Sequence, residues 1–188
     1  MRIRVSDTIP ARDFTTVTGD RVALPDGLTH LQFRRFAGCP ICNLHLRSIA
    51  RRHDEIVAAG VREVVFFHSS ADDLLPFVDG LPFAVVGDPD KKVYREFGVE
   101  STPRSLLDPR AWGGIVVGVL RDLGPLLTRR RPLPPKANGG RLGLPADFLI
   151  DSAGRVVAAK YGEHANDQWS VDELLTLARQ HGAPQATR

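Results

Sequence analysis

Two cysteines, Cys39 and Cys42, are all that the 188 residues contain. That count excludes a secreted scaffold held together by many disulfides. Long apolar runs are missing too: the stretch 115–120 falls far short of the ~20 residues a bilayer crossing needs. The opening residues MRIRVSD have no apolar h-region, so no secretory signal is expected and the cytoplasm is the default address. Neither sign of charge dominates, with 25 Lys and Arg against 22 Asp and Glu. The one basic block, Arg129, Arg130 and Arg131, runs straight into Pro132, Pro134 and Pro135. No aromatic residues are interleaved to stack on bases, so the block reads as solvated loop, and neither nucleic acid nor membrane is expected as a partner. What remains is an ordinary globular composition at the size of one domain.

Strand and helix periodicities alternate along that domain. Residues 13–17 and 21–24 flank Thr18, Gly19 and Asp20 and read as a β-hairpin. Residues 29–36 are a strand candidate, and 42–59 read as one helix whose apolar face includes Leu46, Ile49, Ala50, Ile56 and Val57, closed by Gly60. A buried-type strand follows over 61–68, and Ser70 can cap a short helix. Further strands are expected over 83–86, 147–151 and 155–161, with a short helix over 91–97 between the first two. Ser170 and Glu173 have the spacing of a capping box for the last helix. A proline-rich excursion over about 100–142, with one helix at 111–123, reads as an insertion; Trp112 and the apolar residues after it are expected to cover the core. The pattern predicts a single α/β domain over 1–188 with a mixed sheet.

Gly38-Cys39-Pro40-Ile41-Cys42 carries the chemistry. It stands where a strand gives way to a helix, and free N–H groups and the helix dipole favour a thiolate there. Pro40 suits the first helical turn, where a missing N–H costs nothing. The spacing predicts an exposed, reactive Cys39 and a buried Cys42 that resolves a mixed disulfide or a sulfenic acid. Two structural cysteines, or a zinc site of Cys39, Cys42 and His45, are the rival readings, although no second C-x-x-C follows. Covalent haem is excluded, because Asn43 occupies the position where it needs histidine. His45 and His68 are weaker candidates for tuning a thiolate; the rival reading is a helix-surface residue for His45 and a strand-end residue for His68.

Phe36-Ala37-Gly38-Cys39-Pro40-Ile41-Cys42, Phe83…Asp88, Tyr94…Phe97-Gly98-Val99 and Leu144-Pro145-Ala146-Asp147-Phe148-Leu149-Ile150-Asp151…Gly154 together resemble the thioredoxin-fold redoxins. The resemblance is closest to the peroxiredoxin-like alkyl hydroperoxide reductase/thiol-specific antioxidant branch and covers about 10–100 and 142–181. It implies a central mixed sheet flanked by helices, an N-terminal hairpin and a long insertion before a cis-proline strand. The implied activity is that of an antioxidant thiol oxidoreductase reducing disulfides or hydroperoxides through Cys39 and Cys42, with no cofactor. Electrons would come from a thioredoxin- or mycothiol-type thiol donor, and a homodimer is compatible with the family. Pro40, Phe36, Leu144 and a cis Pro145 would form the substrate side of the site. A non-catalytic redox sensor or binding module is the alternative. The sequence departs from the family in placing Phe36 where a Thr or Ser helps hold peroxide and Gln32 where a Pro stands. Arg104 and Arg141 are candidates for the partner arginine by chemistry only.

Overall fold

The computed structural model describes residues 2–99, 116, 117, 120 and 143–182. Arg12–Thr15 (β1) and Arg21–Leu24 (β2) pair antiparallel with Phe14 opposite Val22, as the hairpin pattern predicts. Gly19 in their turn takes φ +91°, a conformation open to glycine because it has no Cβ to clash. Val17 N–H donates to the Val85 carbonyl at 2.9 Å and ties the hairpin to the main sheet.

Among the described residues that sheet has five strands: Leu28–Arg34 (β3), Val61–Phe67 (β4), Ala84–Gly87 (β5), Ala146–Ile150 (β6) and Val156–Tyr161 (β7). Their spatial order is β5-β4-β3-β6-β7. The β3–β4 and β4–β5 pairs are parallel and the β3–β6 and β6–β7 pairs antiparallel, a mixed sheet as expected. The helices are Pro40–Arg51 (α1), His53–Ala58 (α2), Ala71–Val78 (α3), Lys92–Glu96 (α4) and Val171–His181 (α5). Ser70 caps α3 through Asp73 N–H, and Ser170 and Glu173 form the full capping box of α5. The helix expected over 111–123 falls mostly outside the described residues; Val116, Val117 and Leu120 are helical and exposed. The Arg129–131 block, Trp112, Arg104 and Arg141 lie outside the described residues.

The single helix expected over 42–59 is two. Arg52 leaves the helical region at φ −114°, ψ 21°, and its N–H bonds back to Ile49 in a tightened turn. The Arg52 guanidinium is held by Glu55 at 2.8 and 2.9 Å and by Asp172 of α5 at 2.7 Å. Because Ile49 and Ile56 are both fully buried on either side of this turn, the apolar periodicity runs through it unbroken.

Alternate residues of β3 serve two different layers. Leu31 and Phe33 join Val64, Phe66, Phe148, Tyr94 and Phe97 in an aromatic core. Phe33 stacks on Phe66 at 5.5 Å and meets Tyr94 edge-on at 4.9 Å. Removing such a buried ring costs about 3–5 kcal/mol. His30, Gln32 and Arg34 alternate with these residues and are also fully or almost fully buried. The parallel strands β3 and β4 end side by side, and the segments that leave them are stitched together. His68 N–H donates to the Arg35 carbonyl at 3.1 Å and Ala37 N–H to Ser69 Oγ at 3.0 Å. The cysteine segment emerges at this edge.

Candidate active site

Cys39 is the N-cap of α1, with extended backbone (φ −63°, ψ 117°), and Pro40 opens the first turn. Cys42 follows one turn later, so the two sulfurs face each other at 3.0 Å as free thiols. In such a contact the protonated sulfur donates and the ionised one accepts. Cys39 is 2% exposed and Cys42 4%, which corrects the expectation of an exposed Cys39. The reason is packing: both cysteines belong to one buried apolar cluster with Val17 from the hairpin, Phe36, Ile41, Leu46, Phe67 and Leu74. Pro40 is half-buried and Phe36 buried.

The charge balance at the pair follows from Arg35. Its Nη1 lies 3.9 Å from Cys39 Sγ, and its guanidinium lies 5.3 Å from the centre of the Phe36 ring. Burial pushes the Cys42 thiol up, but the hydrogen bond with Cys39, the charge of Arg35, the Arg35 backbone and the charge of Arg34 outweigh it and bring the group down to about 7. Burial raises Cys39 well above the ordinary thiol range, and its hydrogen bond and charge coupling to Cys42 raise it further. The two sulfurs therefore titrate as a unit, the first proton leaving near neutrality and the second held.

Leu144 and Pro145 are placed differently from the expectation. Among the described residues the one cis peptide bond is Leu24–Pro25, so Leu144–Pro145 is trans. Pro145 feeds β6 as a straight strand entry: its carbonyl accepts Gly162 N–H at 2.9 Å, and its ring packs where a Cβ on Gly162 would stand. Both residues are buried, and Leu144 is outside the apolar cluster around the sulfurs. Gly143 is the residue of this segment placed against Arg35 and His68.

Beneath α1 lies a buried polar layer that the sequence reading missed. His30 faces Glu63 through Nδ1 at 2.9 Å and Asp147 through Nε2 at 3.1 Å. Arg34 donates to Asp147 and to Gln32 Oε1, both at 2.6 Å, and Gln32 donates to Glu63. Trp169 N–H adds a bond to Asp147 at 3.3 Å. Burial disfavours the charged imidazolium of His30, but Glu63 and Asp147 more than compensate and raise it to about 9. Burial also opposes the Asp147 charge, yet Arg34 and His30 hold it well below the usual carboxylate range.

His45 is buried rather than at the helix surface, and its Nε2 accepts from Arg34 at 3.1 Å. Burial and the adjacent guanidinium keep its ring neutral, with the pKa well below the ordinary value. His68, at the end of β4, is 1% exposed, and burial lowers its pKa to about 4. Arg35 was also missed; its sole sequence signal was its position beside Phe36 at the end of the strand candidate.

A profile of the AhpC/TSA antioxidant enzyme family matches residues 48–164, more than half of the chain and a stretch that begins just after the cysteines. No curated protein matches the chain in sequence. Among solved structures, peroxidoxin BcpB from Mycobacterium tuberculosis superposes with a TM-score of 0.68 at 17% identity, covering 97% of this chain and 100% of that one. The reduced 2-Cys peroxiredoxin of Plasmodium vivax gives 0.64 at 14% identity, over 98% and 89%. A thiol peroxidase from Chromobacterium violaceum gives 0.61 at 15%, over 96% and 88%. At these identities the likeness establishes the thioredoxin-like fold.

Proposed function

This chain belongs to the AhpC/TSA antioxidant enzyme family, and from that premise we propose that it is a two-cysteine hydroperoxide reductase. Family and fold support a thiol-dependent redox role in general. The narrower claim rests on one observation, the guanidinium of Arg35 at 3.9 Å from Cys39 Sγ, in a pair whose sulfurs are 3.0 Å apart. Peroxide reduction develops negative charge on the departing oxygen, and a fixed donor aimed there is typically worth about 10²–10³ in rate. Phe36 supplies no such donor from its side chain; Arg35, one residue earlier, does.

In the first step the one proton left on the pair passes from Cys39 to Cys42 across the 3.0 Å contact, and the Cys39 thiolate so formed attacks the terminal oxygen of R–O–O–H. The S–O bond forms, the O–O bond breaks, and the alkoxide takes the Cys42 proton, giving Cys39 sulfenic acid, R–OH and the Cys42 thiolate. That thiolate attacks Cys39 Sγ and expels hydroxide, which a solvent proton converts to water. The products are one disulfide, one alcohol and one water. One thioredoxin-type dithiol, or two equivalents of a mycothiol-type thiol, returns the pair to its reduced state.

Burial of both sulfurs favours a small substrate over a protein disulfide, whose reduction needs a sulfur that a second protein can reach. The apolar wall of Val17, Phe36, Phe67 and Leu74 favours an organic hydroperoxide. Residues 100–142 are read as an insertion in this one domain. The deciding experiment is steady-state reduction of cumene hydroperoxide and of a protein disulfide, with excess dithiol donor, by wild type, Cys39→Ser and Cys42→Ser. Multiple turnovers by wild type on peroxide, none by Cys39→Ser and a single sulfenic-acid turnover by Cys42→Ser are expected. A wild type that oxidises once and stops would be a redox sensor; one that reduces only the protein disulfide would be a thiol–disulfide oxidoreductase.

A further inference from the structure

We propose that the groove between α1 and the end of α3 binds the thiol donor, and that this donor is a small peptide thiol carrying carboxylates and a free ammonium. The proposal rests on the reading of the cysteine pair as one that turns over, and it narrows the donor from thiols in general to that class.

The groove has a volume of about 390 Å³, within the ~300–1,000 Å³ typical of small-ligand sites. Asn43, Arg47 and Arg51 reach it from α1, Phe77 from α3, and Asp79 and Leu81 from the turn that follows. Arg47, Arg51 and Asp79 are exposed. Among the described residues none of these three side chains has an ion pair or hydrogen bond, so two guanidiniums and a carboxylate line one cavity without pairing. A ligand filling the gap between them meets both cations with carboxylates and the anion with an ammonium. That is the charge pattern of a small peptide. A plain anion would be repelled by Asp79.

The groove also runs toward the cysteines. Cys39, Asn43, Arg47 and Arg51 recur every four residues and follow one another along α1 at about 6 Å per step. Asn43 N–H donates to the Cys39 carbonyl at 2.9 Å, so the near end of the groove is one turn from the N-cap. Phe77 and Leu81 pack against the apolar cluster that contains both cysteines. Three extended residues span about 10 Å. A tripeptide with a carboxylate on Arg47 therefore reaches back along α1 to the turn that begins at Cys39.

In the oxidised pair the donor thiolate attacks Cys39 Sγ; the donor–Cys39 bond forms and the Cys39–Cys42 bond breaks. Cys42 leaves as a thiolate, which its lowered pKa of about 7 favours. A second donor attacks the sulfur of the first, releasing Cys39 and one donor disulfide. The two protons lost by the donors balance the two restored thiols.

The test uses glutathione as the donor and S-methylglutathione, which cannot react, as the binding probe. Wild type should bind S-methylglutathione saturably by calorimetry. Arg47→Gln/Arg51→Gln should weaken that binding about tenfold, as the loss of two exposed ion pairs would. Asp79→Asn should weaken it as well; a gain in affinity would mean a plain anion site and would overturn the peptide assignment. In turnover of cumene hydroperoxide, the double variant's kcat/KM for glutathione relative to that for uncharged dithiothreitol should fall about tenfold with the binding. An unchanged ratio would overturn the donor role. No saturable binding to wild type, or equal binding by the double variant, would overturn the groove. Binding without peroxide turnover by either donor would instead overturn the reading of the pair.

Discussion

Arg35 Nη1 lies 3.9 Å from Cys39 Sγ, and the same guanidinium is one of the causes that lower the Cys42 thiol to about 7. One side chain thus serves the ionisation of the pair and, on the proposed mechanism, the departing oxygen. Arg35→Met should move the first thiol titration, followed by thiolate absorbance, above 7 and slow hydroperoxide reduction about 10²–10³-fold. Arg35→Lys should restore the titration better than the rate, since an ammonium returns the charge without the planar fork. If the titration and rate of Arg35→Met match wild type, the arginine has neither role.

The sulfurs depend on each other. The hydrogen bond with Cys39 is the largest of the effects lowering Cys42. In Cys39→Ala that bond is gone while burial, which raises Cys42, remains. The pH midpoint for alkylation of Cys42 should therefore rise above the value of about 7 for the intact pair. A midpoint still at 7 in Cys39→Ala would mean that the arginines alone set it.

The order of elements was legible because each carries its own local signal. The Gly19 turn, the Ser70 and Ser170 caps and the glycines after helices fall where the pattern places them. The polar layer was not legible, and β3 shows why. His30, Gln32 and Arg34 alternate with Leu31 and Phe33, which is the pattern of a strand with one wet face. The sheet covers that face instead, and partners from β4 and β6, Glu63 and Asp147, satisfy it. No local signal reports a partner more than a hundred residues away. The same limit hid the burial of Cys39 and the role of Arg35: helix-terminus chemistry marks a reactive cysteine but not what packs over it.

Gly162 joins the end of β7 to the entry of β6. A Cβ there would lie 2.6 Å from the Asp167 carbonyl oxygen, 2.7 Å from Pro145 Cγ and 3.0 Å from the Pro145 carbonyl oxygen. Two of those neighbours are backbone and cannot rotate away. Gly162→Ala should destabilise the protein by about 1–3 kcal/mol, as overpacking typically does. The check is urea unfolding beside Ser170→Ala, where losing the N-cap should cost about 1 kcal/mol. An unchanged midpoint for Gly162→Ala would show that the Pro145 turn yields easily.

His30 links the buried layer to pH. Its folded pKa of about 9 lies above the value near 6.5 expected in the unfolded chain, so the folded state holds the proton more tightly. The resulting stabilisation is complete below pH 6.5 and disappears as pH rises through 9; a shift of this size corresponds to on the order of 3 kcal/mol. Cys42, lowered to about 7, acts in the opposite direction over much of this window, because a depressed pKa adds stability as pH rises. The measurement therefore belongs in the Cys39→Ser/Cys42→Ser double variant, by urea unfolding between pH 6 and 9.5. His45 and His68, both lowered below 6.5, exert their effect on the acid side of the window. A steady loss of stability from pH 6.5 to 9 is expected in the double variant, and the loss should vanish when His30→Gln is added. Flat stability across this range in the double variant would mean that His30 is not held as an imidazolium between Glu63 and Asp147.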